Sequence, residues 1–499
     1  MANFASALRK ESTHTFTENG AQALNSTLNS CLDLFGSIGS LRTRQDSEVL
    51  RLFSEAYHED PLLATKILFY ARDIREGCGE RKTFRTIIRY LASMHPNTLL
   101  PNLHLIGEYG RYDDLYSLIG TPLEEDMWQV MQHQFELDRV AMHKKESISL
   151  LAKWIKTPDA SSKNTRKLGI LTAQKLGYTV YRFKRILREM RKYLKIVEVK
   201  MSANEWNSIE YSTVPSRAMH IYNNAFGKHD EERFEEFKNK AIQGEVKVNS
   251  STLYPYDIVQ KIIDWSDWRR ISAKEDKLCE AQWRQLPNYV EGNQNAIVIA
   301  DTSGSMTCSA CRPMASSIGL AIYFAERNHG PYKDLFIPFS TTSSVCRITG
   351  ETLAQKIDSI NDSGYFGYCG STNLAAAFVR VLDIAIDNHI SNEDMVKSLI
   401  VISDMEIDCQ VEDRGDWTFY DQMSTLYSNY GYTLPNVIFW NVNSRHNIFH
   451  ADANRKGVQL VSGSSISTFK QLMGSVGLTP VEMMLKVINS DRYSPITIA

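Results

Sequence analysis

The stretch "IVIADTSGSM", residues 297–306, ends a run of apolar residues in one acid, two serines and a glycine. Asp301, Ser303 and Ser305 stand at alternate positions, and Gly304 lets the chain bend sharply between them. An all-oxygen set suits a hard divalent cation such as Mg²⁺ or Mn²⁺, which takes a few carboxylates, hydroxyls and retained waters. Two later segments offer further donors. "GYCGSTNLAAAF" carries Thr372 just ahead of a helix-like run, and "LIVISDMEID" carries Asp404 at the end of another apolar strand. Two rival roles compete for the same residues: Asp301 and its serines as caps of the following helix, or Asp301 as the acceptor of a phosphoryl group. The phosphoryl route calls for a second acid two residues on, or a hydroxyl with a well-placed Lys and a later acidic pair; this chain has Ser303 there, and Met405 follows Asp404.

A different chemistry is written between Lys144 and Lys200. Residues 141–200 hold 16 Lys and Arg against 4 Asp and Glu, whereas residues 291–499 hold 14 against 21, so the near-neutral total hides a basic and an acidic part. The candidate cations are Lys144, Lys145, Lys153, Lys163, Arg166, Lys167, Arg182, Arg185, Arg188, Arg191 and Lys192, interleaved with Trp154, Tyr178, Tyr181, Phe183 and Tyr193. Cations supply the salt-sensitive attraction to phosphates and aromatics stack bases, so the combination points to RNA. In "YTVYRFKRILREMRKYLK" the cations recur at helical spacing and fall along one broad face. The plain alternative is a solvated helix surface whose aromatics belong to the core.

Weaker signals carry less. "REGCGERK", residues 75–82, places two glycines among charges but lacks the GK[ST] ending of a nucleotide loop, and reads as a tight interhelical turn. Cys308 and Cys311 form a lone CxxC, with Cys369 and Cys409 near the other two oxygen-bearing loops; a thiol site would need a second close pair. His446 and His450 stand four apart without the Glu of a zinc helix and read as solvent-facing. Trp154 and Trp206 read as packing anchors. No Ser-His-Asp order, nucleophile elbow, phosphate loop or glycosidase-like acid pair appears, so the expectation is a protein that is not an enzyme.

These groups must be positioned by a chain of 499 residues, too long for one ordinary core. Residues 1–40, rich in Ser, Thr, Asn and Gly, read as a loosely ordered lead-in. From "DSEVLRLFSEAYHEDPLLATKILFYARDI" apolar residues fall at three- and four-residue spacing, with Asp46 or Ser47 as caps and Pro61 opening the next helix. This texture, a helical repeat of HEAT-like type without a strict period, continues over 41–290. Then "NAIVIADTS", "KDLFIPFS", "KSLIVISDM" and "PNVIFWNVNS" are short buried-type strands separated by helix-length segments, which predicts a mainly parallel, Rossmann-like sheet over 291–499. The fold class is thus multidomain α + α/β. There is no long apolar span and no leader-like start, and eight irregularly spaced cysteines fit reduced thiols, so a cytoplasmic protein without membrane contact is expected.

The order Asp-x-Ser-x-Ser, later Thr, later Asp resembles the metal-ion-dependent adhesion site of von Willebrand factor A domains. The resemblance implies that Asp301, Ser303, Ser305, Thr372 and Asp404 hold a divalent ion with one position left for an acidic group of a partner protein. The segments "LLATKILFYARDIREGCGERKTFRTIIRYL" and "LIGEYGRYDDLYSL" resemble the helical-repeat part of the TROVE family, and "LLAKWIKTPDASSKNTRKL", "MSANEWNSIEYSTVPSRAM" and "STLYPYDIV" look like a broad uncharacterised family of the same layout. The TROVE resemblance implies RNA binding by a ribonucleoprotein component. A protein-interaction scaffold and a metal-dependent phosphotransferase are the alternatives.

Overall fold

The computed structural model describes residues 11–266, 272–290, 294–339, 343–362, 372–408, 418–472, 475 and 477–499, without the side chains of 309–311 and 361–362. The expected loose lead-in is ordered over its described part. Strands β1 (His14–Phe16) and β2 (Gln22–Leu24) pair antiparallel. Helix α1 (Ser30–Ile38) follows, capped by the Asn29 side chain, which accepts from the Leu32 N–H at 2.7 Å. Polar composition misleads here because the apolar residues of "CLDLFGSI" lie within one helix that is buried on every side; only Ser30 reaches the surface.

Helices α2 (Asp46–Glu59), α3 (Pro61–Arg72) and α4 (Lys82–Met94) follow from the apolar spacing, α2 burying Val49, Leu52, Phe53 and Ala56. Asp46 lies in the first turn of α2, and Gln45 holds the cap position. At α3 the Asp60 carboxylate accepts from the Leu63 N–H at 2.8 Å, and Pro61 takes the first position, where no N–H is needed. Between α3 and α4, "REGCGERK" is a tight turn. Its Cys78 and Glu80 N–H groups donate back to the Tyr70 and Ala71 carbonyls at 3.2 and 2.7 Å, so those amides are not offered to a phosphate. Gly79 has φ +68°, and a Cβ there would sit 2.1 Å from the Tyr254 hydroxyl. The helical series continues through α5 (Glu124–His143), α6 (Lys163–Lys175), α7 (Val180–Tyr193), α8 (Ser216–His229), α9 (Glu231–Gln243), α10 (Pro255–Ile262) and α11 (Lys277–Arg284).

The second half is a six-stranded sheet. β3 (Ala296–Asp301), β4 (Leu335–Phe339), β6 (Ser398–Ser403), β7 (Asn436–Asn441) and β8 (Val458–Ser462) are parallel, and the short β5 (Cys346–Arg347) closes one edge antiparallel, in the order β8-β7-β6-β3-β4-β5. The four expected apolar runs are β3, β4, β6 and β7; all but one residue in each is buried or all are, as a sheet covered on both faces requires. β8 was not anticipated. Helix α12 (Cys308–Arg327) leaves β3, and α13 (Leu353–Asp362) and α14 (Leu374–Asp387) precede β6.

The expected division near residue 290 is a change of texture and not a break in packing. One apolar core runs from the N-terminal hairpin through α2–α7 and α10 into the sheet. A separate core gathers α8, α9 and part of α11 around Phe226, Phe234 and Tyr211. Trp206 stacks on His229 there, with centroids 4.3 Å apart, as a packing anchor does. The chain ends tie the halves together. Gly39 lies against β8, where its N–H donates to Ser462 Oγ at 3.0 Å. At the other end Arg492 grips Asp73 through Nε and Nη2 at 2.8 and 3.1 Å, and Thr497 pairs with Asn102. Among the described residues no helix is long and apolar enough to cross a membrane.

Candidate metal centre and basic face

The chain passes from β3 to β4 on one side of the sheet and later crosses to β6 on the other. The carboxyl ends of β3 and β6 therefore flank the point where strand order reverses, the place in open α/β sheets where a crevice forms. Asp301 ends β3, and Ser403 and Asp404 end β6. The register pairs Ala300 with Ile402, which brings the Ser403 hydroxyl to Asp301 Oδ2 at 2.6 Å. Asp301 Oδ1 accepts from the Ser303 N–H at 2.9 Å, and Ser303 Oγ lies 3.1 Å from Ser305 Oγ. Thr372 is tied to the Asp404 loop, its carbonyl accepting from the Asp408 N–H at 3.0 Å. Of the five oxygen-bearing residues, Asp301, Ser303, Thr372 and Asp404 are buried, and Asp301 lies close enough to Asp404 to feel its charge.

Electrostatics set this rim apart. Burial, and then the charge of Asp404, push the Asp301 carboxyl up to about 7, because a carboxyl shielded from water beside a negative charge resists ionising. Asp404 accepts from the Glu406 N–H at 3.1 Å and ion-pairs with Arg445 at 3.0 Å. The donor set fits a hard cation: two buried carboxylates and three hydroxyls, with fewer positive charges than negative ones around them. Among the described residues no three His, Cys, Asp or Glu side chains gather as a metal site; here three of the five donors would be hydroxyls.

Sequence reasoning missed the residues around the rim. Glu406 is fully buried; one oxygen accepts from the Glu18 N–H at 2.7 Å and the other lies 2.8 Å from His446 Nδ1. Asn19 donates from Nδ2 to Thr372 Oγ1 at 3.4 Å and to the Glu406 carbonyl. Arg445 is shared between Asp404 and Glu18. Asp404 and Glu406 at alternate positions were a readable signal; Glu18, some 390 residues away, left none. His450, expected to face solvent, is buried with Nε2 3.2 Å from the Met405 carbonyl, and burial lowers its pKa to about 4. Cys308 is partly exposed, with Asn443 Nδ2 3.3 Å from its sulfur. Cys369, Cys409 and the Cys311 side chain lie outside the described residues.

The basic segment forms α6, α7 and the turn before them. Lys144, Lys145, Lys163, Lys167, Arg182, Arg185, Arg188 and Lys192 are exposed. Arg166 is drawn onto the Ala160 and Ser161 carbonyls, and Arg191 onto those of Ala152 and Ile155 at 2.9 and 3.3 Å. Arg185 faces Glu189 at 4.0 Å. Of the aromatics, Phe183 is buried and Tyr181 is 80% exposed beside Arg182 and Arg185. An open cleft of about 660 Å³ runs alongside, lined by Lys153, Trp154, Lys184, Arg188, Arg191 and Glu198 among others. Arg111 covers one part of Trp154, its Cζ 3.8 Å from the ring centroid.

The fold and the rim define a two-part protein, helical first and α/β second. The chain belongs to the family described as a domain of unknown function, DUF2828, whose model matches residues 17–146 and 170–293. Residues 295–492 match a second domain of unknown function, DUF7788. The chain is similar to the uncharacterized protein L728 of Acanthamoeba polyphaga mimivirus, at 27% identity over 97% of this chain and 89% of the viral one.

Proposed function

We propose that the protein is a non-catalytic, RNA-binding component of a ribonucleoprotein, resembling the TROVE family in its HEAT-like helical half and von Willebrand A domains in its α/β half. The observation that carries the RNA reading is the run of exposed cations on α6 and α7 around the exposed Tyr181. Arg182, Arg188 and Lys192 make no ion pair with described residues, so their charge is available to phosphates. Tyr181 offers a ring face for a base, and the cleft along α7 has room for an unstacked nucleotide.

In the α/β half, Asp301, Ser303, Ser305, Thr372 and Asp404 would hold Mg²⁺ or Mn²⁺. The ion would supply a positive centre that offsets the two carboxylates and attracts an acidic group of a partner protein. The protein's own residues do the rest: Ser403 and the Ser303 N–H orient Asp301, and the Glu406 N–H orients Asp404.

The purified protein is expected to carry nucleic acid, seen as a 260 nm excess that ribonuclease removes, and to bind structured RNA less tightly as salt rises. Reversing Arg182, Arg188 and Lys192 to Glu should lower the slope of log K against log salt by about two, at roughly 0.7 per lost contact with a single strand. A clean protein spectrum and no shift of any structured RNA would reject the reading. A scaffold that binds a polypeptide is the second reading, favoured in that Arg166 and Arg191 already donate to carbonyls of this chain and are not free for phosphates; it predicts that the triple variant leaves partner binding intact.

A further inference from the structure

The N-terminal hairpin does not merely lie near the rim; its tip is fastened to it. Thr17 Oγ1 donates to the Ile407 carbonyl at 2.7 Å, Gly20 bridges to Asp408, and the Glu18 N–H and Asn19 Nδ2 engage Glu406 and Thr372. Arg445 completes the link, with Nη2 on Asp404 and Nη1 on Glu18, while its Nε is buried without a partner among the described residues. One guanidinium thus joins a carboxylate of the proposed cation site to a carboxylate of a segment some 400 positions earlier.

We propose that Arg445, Glu18 and Asn19 form a latch that a divalent cation releases, an inference resting on the cation site proposed above. Arg445 and the cation compete for Asp404, since each is the positive charge that the buried carboxylate requires. When the cation takes Asp404, it repels the guanidinium, which is 26% exposed and has solvent to move into. The hairpin tip then loses the Arg445 link to the β6 end and keeps its hydrogen bonds to Ile407, Asp408 and Glu406 and the Glu18–His446 contact at 3.5 Å. Opening the tip uncovers Thr372 and the face on which an external acidic group would meet the ion. Glu18 is an acid placed at that face by the chain itself, so the latched tip and a partner's carboxylate exclude each other.

The coupling is reciprocal: whatever the cation does to the tip, the tip does to cation affinity. The test is Mn²⁺ titration of the full chain by calorimetry, with hydrogen exchange of residues 14–24 measured with and without Mn²⁺. Arg445→Gln should bind Mn²⁺ about ten-fold more tightly than the wild type, within the usual range for such coupling, and its tip amides should exchange fast in either state. In the wild type Mn²⁺ should speed exchange at the tip. Glu18→Gln removes the hairpin's side of the link, so its tip should exchange fast with or without Mn²⁺ and, by the same reciprocity, Mn²⁺ should bind more tightly than to the wild type. Unchanged or weaker Mn²⁺ binding in Arg445→Gln, or a tip that Mn²⁺ slows, overturns the latch and leaves the cation site standing. No Mn²⁺ binding by the wild type overturns the site itself.

Discussion

Replacing Asp301 by Asn tests the rim's electrostatics directly. In the wild type the Asp301 carboxyl is pushed up to about 7 by burial and by Asp404, against an ordinary value of 3.8. A carboxyl raised in the folded state holds its proton there while the unfolded chain has lost it, so stability falls as pH rises from about 4 to 7. At 1.36 kcal/mol per pH unit, the penalty above pH 7 has a ceiling of about 4 kcal/mol. Asparagine removes the charge but meets the same donors. Its Oδ1 serves the Ser303 N–H, and its Nδ2 must face Ser403 Oγ, which rotates to accept while also taking the Met405 N–H at 3.0 Å. About half the ceiling, roughly 2 kcal/mol, should be recovered. Urea melts with chelator present should show Asp301→Asn more stable than wild type by about 2 kcal/mol at pH 8 and by clearly less at pH 5. Adding saturating Mg²⁺ should reverse the ranking, because only the wild type gains from binding. Equal stabilities at pH 8, or a variant that still titrates Mg²⁺, would refute the reasoning.

Two further outcomes follow from buried groups. His450, lowered to about 4 from 6.5, binds its proton in the unfolded chain first, so stability should fall as pH drops from about 6.5 to 4; His450→Gln should remove up to about 3 kcal/mol of that fall, read from urea melts at pH 7 and 4.5. Arg72 and Asp114 pair at 2.7 Å with side chains almost wholly buried, Arg85 holding the other oxygen at 2.6 Å. Arg72→Ala leaves a buried acid held by Arg85 and the Arg111 N–H alone and should cost about 3 to 5 kcal/mol, checked by the same melts.

Local patterning specifies the elements and the side chains at their ends. Apolar runs of β-branched residues ending in small oxygen-bearing side chains specify β3, ending at Asp301, and β6, followed at once by Asp404, because side-chain period and strand propensity are local properties. The same holds for the cations of α6 and α7, whose spacing fixes a common helix face. Which of those cations remain exposed was decided by packing: Arg191 turns inward to the Ala152 and Ile155 carbonyls, which lie close only in the folded chain.

Long-range closure was the property of the tertiary structure. The composition of the lead-in is that of a loose segment, yet its hairpin tip hydrogen-bonds to Thr372 and Glu406, and α1 packs against β8. Composition averages over a segment, whereas burial depends on which distant surface meets it, and nothing near Glu18 in the chain announces Arg445. For the same reason the division near 290 marks where helices give way to strands, while a single apolar core passes through it.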